Sequence, residues 1–211
     1  VPVSIHSEHG LLHGQLSLLA EVSGIVVLAH AAMVLDEPDA LMAAQFRQAG
    51  FSTLSVDLLA RQEEHFPDVH NNVSLLAKRL LEFIDLIKNR MLLGEIPMQA
   101  LGLCAAGVTS PVAVRVAAQR DLEVAAVVCR GGLIDLAGAL YLHSLTSPLL
   151  VLAEETDTHH IAISRRALQE ISCPCELKLI PQIGFDFSLS DGFEKACDES
   201  IQWFRKYLQT A

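Results

Sequence analysis

An α/β fold, with a mostly parallel central sheet and helices on both faces, is the class the sequence predicts, on three observations. Short aliphatic and β-branched runs alternate with longer helical patterns along the whole chain. The run Gly24-Ile25-Val26-Val27-Leu28-Ala29-His30 is apolar without alternation, as in a strand buried on both faces of a parallel sheet. Between Asn72 and Arg90, the residues Leu75, Leu76, Leu80, Phe83, Ile84 and Ile87 fall on one helical face.

The remaining elements follow in order. The segments around Val3 to His6 and Leu12 to Leu19 read as an N-terminal hairpin. After the Gly24 strand comes a helix with Asp36 as N-cap, Pro38 in the first turn, Leu41, Met42 and Phe46 on one face, and Gly50 as its stop. Phe51 to Val56 is a strand ending at Asp57. Past the long helix, Met98 to Leu103 reads as a strand, Ala106 to Gln119 as a helix and Val124 to Cys129 as a strand, with Asp135 a local cap beyond it. Ser147-Pro148 introduces the strand Leu149 to Ala153, and a helix follows over His160 to Glu170. Cys175 to Ile180 is the last strand. The closing helix starts at Asp191, where Asp191 and Glu194 resemble a capping box, and Trp203, Phe204 and Tyr207 are expected to pack on the chain's own sheet.

Composition narrows the function classes. The chain has 211 residues, enough for one sizeable core, and is expected to form a single domain over 1–211. A hydrophobic share of 51% against 19% charged excludes a disordered chain, and 5% aromatics leave the core to Leu, Val, Ile and Ala. A formal net charge of −10 argues against nucleic acid and anionic membranes as partners. No apolar run is long enough to span a bilayer, and no secretory signal is visible. The chain opens on Val1, as expected of a trimmed start or a piece of a longer protein. The five cysteines include one close pair, Cys173-Pro174-Cys175, with no second pair to complete a zinc site. Free thiols in the cytoplasm are expected, and no metal or cofactor. Gly131-Gly132 alone is too little for a phosphate cradle. The tract Arg61-Gln62-Glu63-Glu64-His65 reads as a solvated loop, and His6, His9, His13, His70 and His143 show no ligand spacing.

In an open α/β sheet, ligands bind beyond the carboxyl ends of the strands. The loops to read therefore follow His30, Asp57, Leu103, Arg130, Ala153 and Pro181. The one after Leu103 carries Gly102-Leu103-Cys104-Ala105-Ala106-Gly107. A cysteine at such a corner is either a poised nucleophile, its thiol pKa lowered by a helix N-terminus, or a small residue filling a tight turn.

Several stretches resemble α/β hydrolases, and in particular dienelactone hydrolase-like proteins, including the small hydrolase-like domain also found fused to phosphoribosyltransferases. They are Leu28-Ala29-His30-Ala31-Ala32, Ala49 to Leu59, the Gly102 stretch, Val128 to Gly138, and Ser147 to Leu152, in consistent order over nearly the whole chain. The resemblance implies a nucleophile elbow with Cys104 as nucleophile, and some members of the group do use cysteine. It implies Asp157 as the acid, with oxyanion donors at the N–H groups of Ala105 and one near Ala32. His30 would orient a loop and Arg130 would line the cleft, holding an anionic ligand or a carboxylate. The family's base follows the last strand, where Pro181-Gln182-Ile183-Gly184-Phe185-Asp186-Phe187 puts Phe185 at its position. Phenylalanine accepts no proton, and His159 and His160, just past Asp157, are the imidazoles nearest in sequence to the acid. Two functions are therefore expected as alternatives. One is cleavage of an ester, lactone or thioester by Cys104 through an acyl-enzyme. The other is a degenerate hydrolase fold that binds a small ligand or serves as an accessory domain, as a homo-oligomer or beside a fusion partner.

Overall fold

A computed structural model describes residues 1–8, 10–20, 22–31, 37–63, 66–181 and 191–208. Ala32, Asp36 and Phe185 lie outside them, so the second oxyanion donor, the proposed cap and the base position receive no structural account. The strands are β1 (Pro2–Ser7), β2 (Gly10–Ser17), β3 (Ile25–His30), β4 (Ser52–Asp57), β5 (Leu101–Ala106), β6 (Val124–Arg130), β7 (Leu149–Glu154) and β8 (Cys175–Ile180). The helices are α1 (Glu37–Gln48), α2 (Pro67–His70), α3 (Val73–Leu92), α4 (Ser110–Gln119), α5 (Ala139–Ser144), α6 (Thr158–Leu168) and α7 (Asp191–Tyr207).

The strands form one sheet in the order β1-β2-β4-β3-β5-β6-β7-β8. β1 and β2 make the expected hairpin, with Ser7 opposite Gly10, and β2 joins β4 antiparallel. Every pairing from β4 to β8 is parallel. The interior strands serve two cores at once. In β3, Ile25, Val27 and Ala29 face the core under α3 and α4, while Val26 and Leu28 face the one under α1 and α7. Asn72 caps α3 by accepting from the Leu75 N–H at 3.0 Å. Trp203 and Phe204 of α7 are buried against the sheet, as expected. Asp135 lies in a 3₁₀ turn, Ile134–Ala137, that has no side-chain cap, so the cap expected of its carboxylate is not formed.

The fifth strand departs from expectation, and the departure moves the site. The apolar run suggested a strand over Met98 to Leu103, but β5 starts at Leu101 and continues through Ala106. A single 3₁₀ turn, Gly107–Thr109, then leads into α4, which carries Pro111 in its first turn. The strand-to-helix corner thus lies at Gly107, three residues beyond the cysteine expected there.

Candidate functional site at the carboxyl edge of the sheet

The corner itself is built locally. Ala106 is extended and Gly107 turns to a φ of 55°, a left-handed conformation that favours glycine. Thr109 is fully enclosed behind it; its hydroxyl accepts from the Ala106 N–H at 3.1 Å and donates to the Ala29 carbonyl at 2.9 Å. Ser110 donates to the Gly131 carbonyl at 2.8 Å, which ties the start of α4 to the end of β6. A Cβ at Gly107 would meet nothing within 4 Å, so a side chain at 107 would project into open space. Val108, the next residue, is 46% exposed. This is the geometry of a nucleophile elbow, with a residue that has no nucleophile at its tip.

Cys104 sits elsewhere. It lies within β5, between Leu28 of β3 and Val128 of β6, and is 2% exposed. Burial pushes its thiol up to about 11, with the Arg130 guanidinium pulling partly the other way. The lowered thiol pKa expected of a helix N-terminus is therefore reversed, because two further strand residues separate the sulfur from the helix. Gly102 has its own reason to be glycine: a Cβ there would come within 2.6 Å of the Phe204 ring. Ala105, expected as an oxyanion donor, is instead a buried ladder residue paired with Ala29 and Cys129, while the residue after the corner is Val108.

Next to the corner lies a buried charged cluster. His30 ends β3 and Arg130 ends β6, on either side of β5. Both reach one carboxylate, Asp39 in the first turn of α1. The His30 Nδ1–H donates to Asp39 Oδ2 at 2.6 Å, and Arg130 Nη2 donates to Asp39 Oδ1. The Arg130 charge also acts on the Cys104 thiol. Asp39 is held well below the ordinary carboxylate range: burial works against ionisation, but the His30 hydrogen bond and the Arg130 charge outweigh it. The carboxylate expected for Arg130 is thus internal. It clamps α1 to two strands and leaves the guanidinium paired. Asp39 was missed in the sequence, where an acid in a first helical turn reads only as favourable to the helix dipole.

Asp157 follows β7 as expected and caps α6, accepting from the His160 N–H at 3.0 Å and pairing with the His160 ring through Nδ1. The backbone N–H first, and the imidazole after it, hold its carboxyl below the ordinary range. His159 stacks edge-on against His160, with centroids 5.9 Å apart. The structure thus joins Asp157 to His160 and, separately, His30 to Asp39, Arg130 and Cys104. Among the described residues no group of three or more His, Cys, Asp or Glu is arranged to hold a metal ion. The sulfurs of Cys173 and Cys175 turn to different carbonyls, those of Ser147 and Leu168.

At the end of β4, half-buried Asp57 has its carboxyl pushed up to about 6, chiefly by burial. Its folded value lies above the ordinary 3.8, so the native state takes up this proton first as pH falls. Stability tied to this group therefore increases from pH 7 down through 6 to about 4. Asp57→Asn keeps an acceptor for the Leu59 N–H, which Asp57 Oδ1 binds at 3.0 Å, and removes the desolvated charge. We expect it to stabilise the fold by about 1–2 kcal/mol at pH 7, allowing for partial solvent screening, and by nearly nothing at pH 4. Urea unfolding of both proteins at the two pH values reads this, and a difference independent of pH would contradict it.

The fold has a close counterpart among solved structures. A dienelactone hydrolase from Anabaena variabilis superposes with a TM-score of 0.90 at 27% identity, over 99% of this chain and 98% of that one. The chain has the α/β-hydrolase fold and is dienelactone hydrolase-like. Other α/β hydrolases share the fold alone, among them the carboxylesterase EstE1, at a TM-score of 0.76 and 12% identity over 100% of this chain and 89% of that one. Two Mycobacterium tuberculosis proteins that carry the name phosphoribosyl transferase are 29% identical over 197 residues. That match takes in 92% of this hydrolase-like chain but spans only 44% of theirs. No family model matches the chain. Among the described residues, no helix is long and apolar enough to cross a membrane.

Proposed function

We propose that this is a hydrolase-fold domain whose elbow has no nucleophile, and that it works as a ligand-binding or accessory domain. The observation that carries the reading is the corner at Gly107, with its φ of 55° and open space where a nucleophile's side chain would stand. The burial of Cys104 within β5 and its raised thiol pKa support it, since the thiolate is the reactive form. The expected Phe185 in place of the base fits the same reading. The mycobacterial relatives are more than twice as long as the stretch they share with this chain, which suits an accessory domain working beside a phosphoribosyl transferase part. All five cysteines are free thiols, which suits a reducing compartment such as the cytoplasm.

A second reading keeps Cys104 as the nucleophile toward an ester, lactone or thioester. The Arg130 guanidinium favours it, because its charge pulls the Cys104 thiol pKa down against burial and a guanidinium stabilises a thiolate. The two part on turnover. With p-nitrophenyl acetate and a panel of lactones, the first reading expects wild type and Cys104→Ala to release product equally, at the rate of the protein-free buffer. Turnover that disappears in Cys104→Ala would establish the second.

A further inference from the structure

Away from the elbow, a cleft of about 210 Å³ lies between the segment 134–144, which follows β6, and helix α6. Its floor is apolar, formed by the buried Leu142 and Ala167 with Ile163 half-buried beside them. Glu170 lines one part of it and is already engaged, accepting from His143 Nε2 at 2.6 Å. Two other lining residues are not engaged. Asp135 stands on the 3₁₀ turn and Arg166 on α6, and among the described residues neither forms an ion pair, with the other or with any third group. Asp135 and Arg166 thus present opposite, unpaired charges to one cleft beside its apolar floor.

A molecule that satisfies all three features carries a carboxylate for the Arg166 guanidinium, an ammonium for Asp135 and a short apolar arm for the floor. We propose that this cleft binds a small free α-amino acid with an aliphatic side chain. Its volume lies below the usual range for drug-sized ligands, which restricts the occupant to a small metabolite. No residue of the corner lines the cleft, so this site is independent of whether the elbow is active.

The test is a titration of the full, uniformly ¹⁵N-labelled chain with L-leucine at constant ionic strength, followed by amide shifts. Parallel titrations use sodium acetate and isoamylamine. The proposal expects saturable shifts confined to residues 134–144 and 161–170, with neither single-charge compound reproducing them. Arg166→Gln and Asp135→Asn should each weaken binding by about tenfold or more. Both side chains are exposed, and the spectra themselves report whether the variants stay folded. No saturable shift overturns the proposal. So do equal shifts from acetate or the amine alone, which would mean a solvated charge attracting a counter-ion, or variants that bind L-leucine as well as wild type.

Discussion

Glu63→Ala is expected to cost about 3–5 kcal/mol of folding free energy, because it leaves a buried guanidinium without its counter-charge. Glu63 stands in the 3₁₀ turn after β4 and Arg79 on α3, at 4% and 1% exposure. The pair is bidentate: Arg79 Nη1 and Nη2 donate to the two Glu63 carboxylate oxygens, each at 2.7 Å. Arg79 Nη1 also donates to the Leu58 carbonyl at 2.7 Å, and Glu63 accepts from the Ala60 N–H at 2.9 Å. The connection leaving β4 at the carboxyl edge is thus folded around one ion pair. The expected loss is a large part of a typical domain's stability of about 5–15 kcal/mol. Pairing the change with Arg79→Met removes the stranded charge and should recover part of it. Urea unfolding reads both, and a single-variant loss below about 1 kcal/mol would show that the pair is solvated.

Gly132→Ala is the second large effect, and it bears on the corner directly. Gly132 has a φ of 80°, and a Cβ there would stand 2.0 Å from the Gly107 carbonyl oxygen. The obstacle is backbone, so no rotamer change relieves it. A left-handed non-glycine residue costs about 1–2 kcal/mol and forced overpacking about 1–3, giving an expected loss of about 2–5 kcal/mol. Gly107→Ala supplies the contrast. It bears the left-handed strain but meets open space, so about 1–2 kcal/mol is expected. Equal losses at the two positions would mean that the loop after β6 does not press on the corner as described.

Much of the fold was legible because its signals are local. β3 and β7 read directly as uninterrupted aliphatic runs, since parallel strands under helices on both faces need apolar side chains on both. The long helix declared itself through its apolar face, while its Asn72 cap is seen only in the structure. The register of β5 was not legible in the same way. Met98 to Ala100 extended the apolar run backwards, and Gly102 with Cys104 imitated an elbow. The cause of Gly102 is the Phe204 ring, which reaches it only through the tertiary packing of α7. One local clue did mark the true corner: Pro111 belongs in a first helical turn, so α4 could not begin as early as Ala106. The Asp39 clamp had no local signal, since it joins α1 to strands on both sides of β5. Asp157 was found through the family resemblance, and its pairing with His160 follows from the i, i+3 spacing at a helix start.

The most direct test is to ask which residue an activated ester acylates. Wild type, Cys104→Ala and Gly107→Cys would be incubated with p-nitrophenyl acetate at neutral pH and each adduct located by mass spectrometry of the digested chain. With the elbow at residue 107 and Cys104 enclosed in β5, Gly107→Cys should be acetylated at position 107, while Cys104 stays unmodified in every native protein that carries it. A stoichiometric acetyl group on Cys104 of the folded wild type, absent from Cys104→Ala, would contradict that placement and return the nucleophile to the strand.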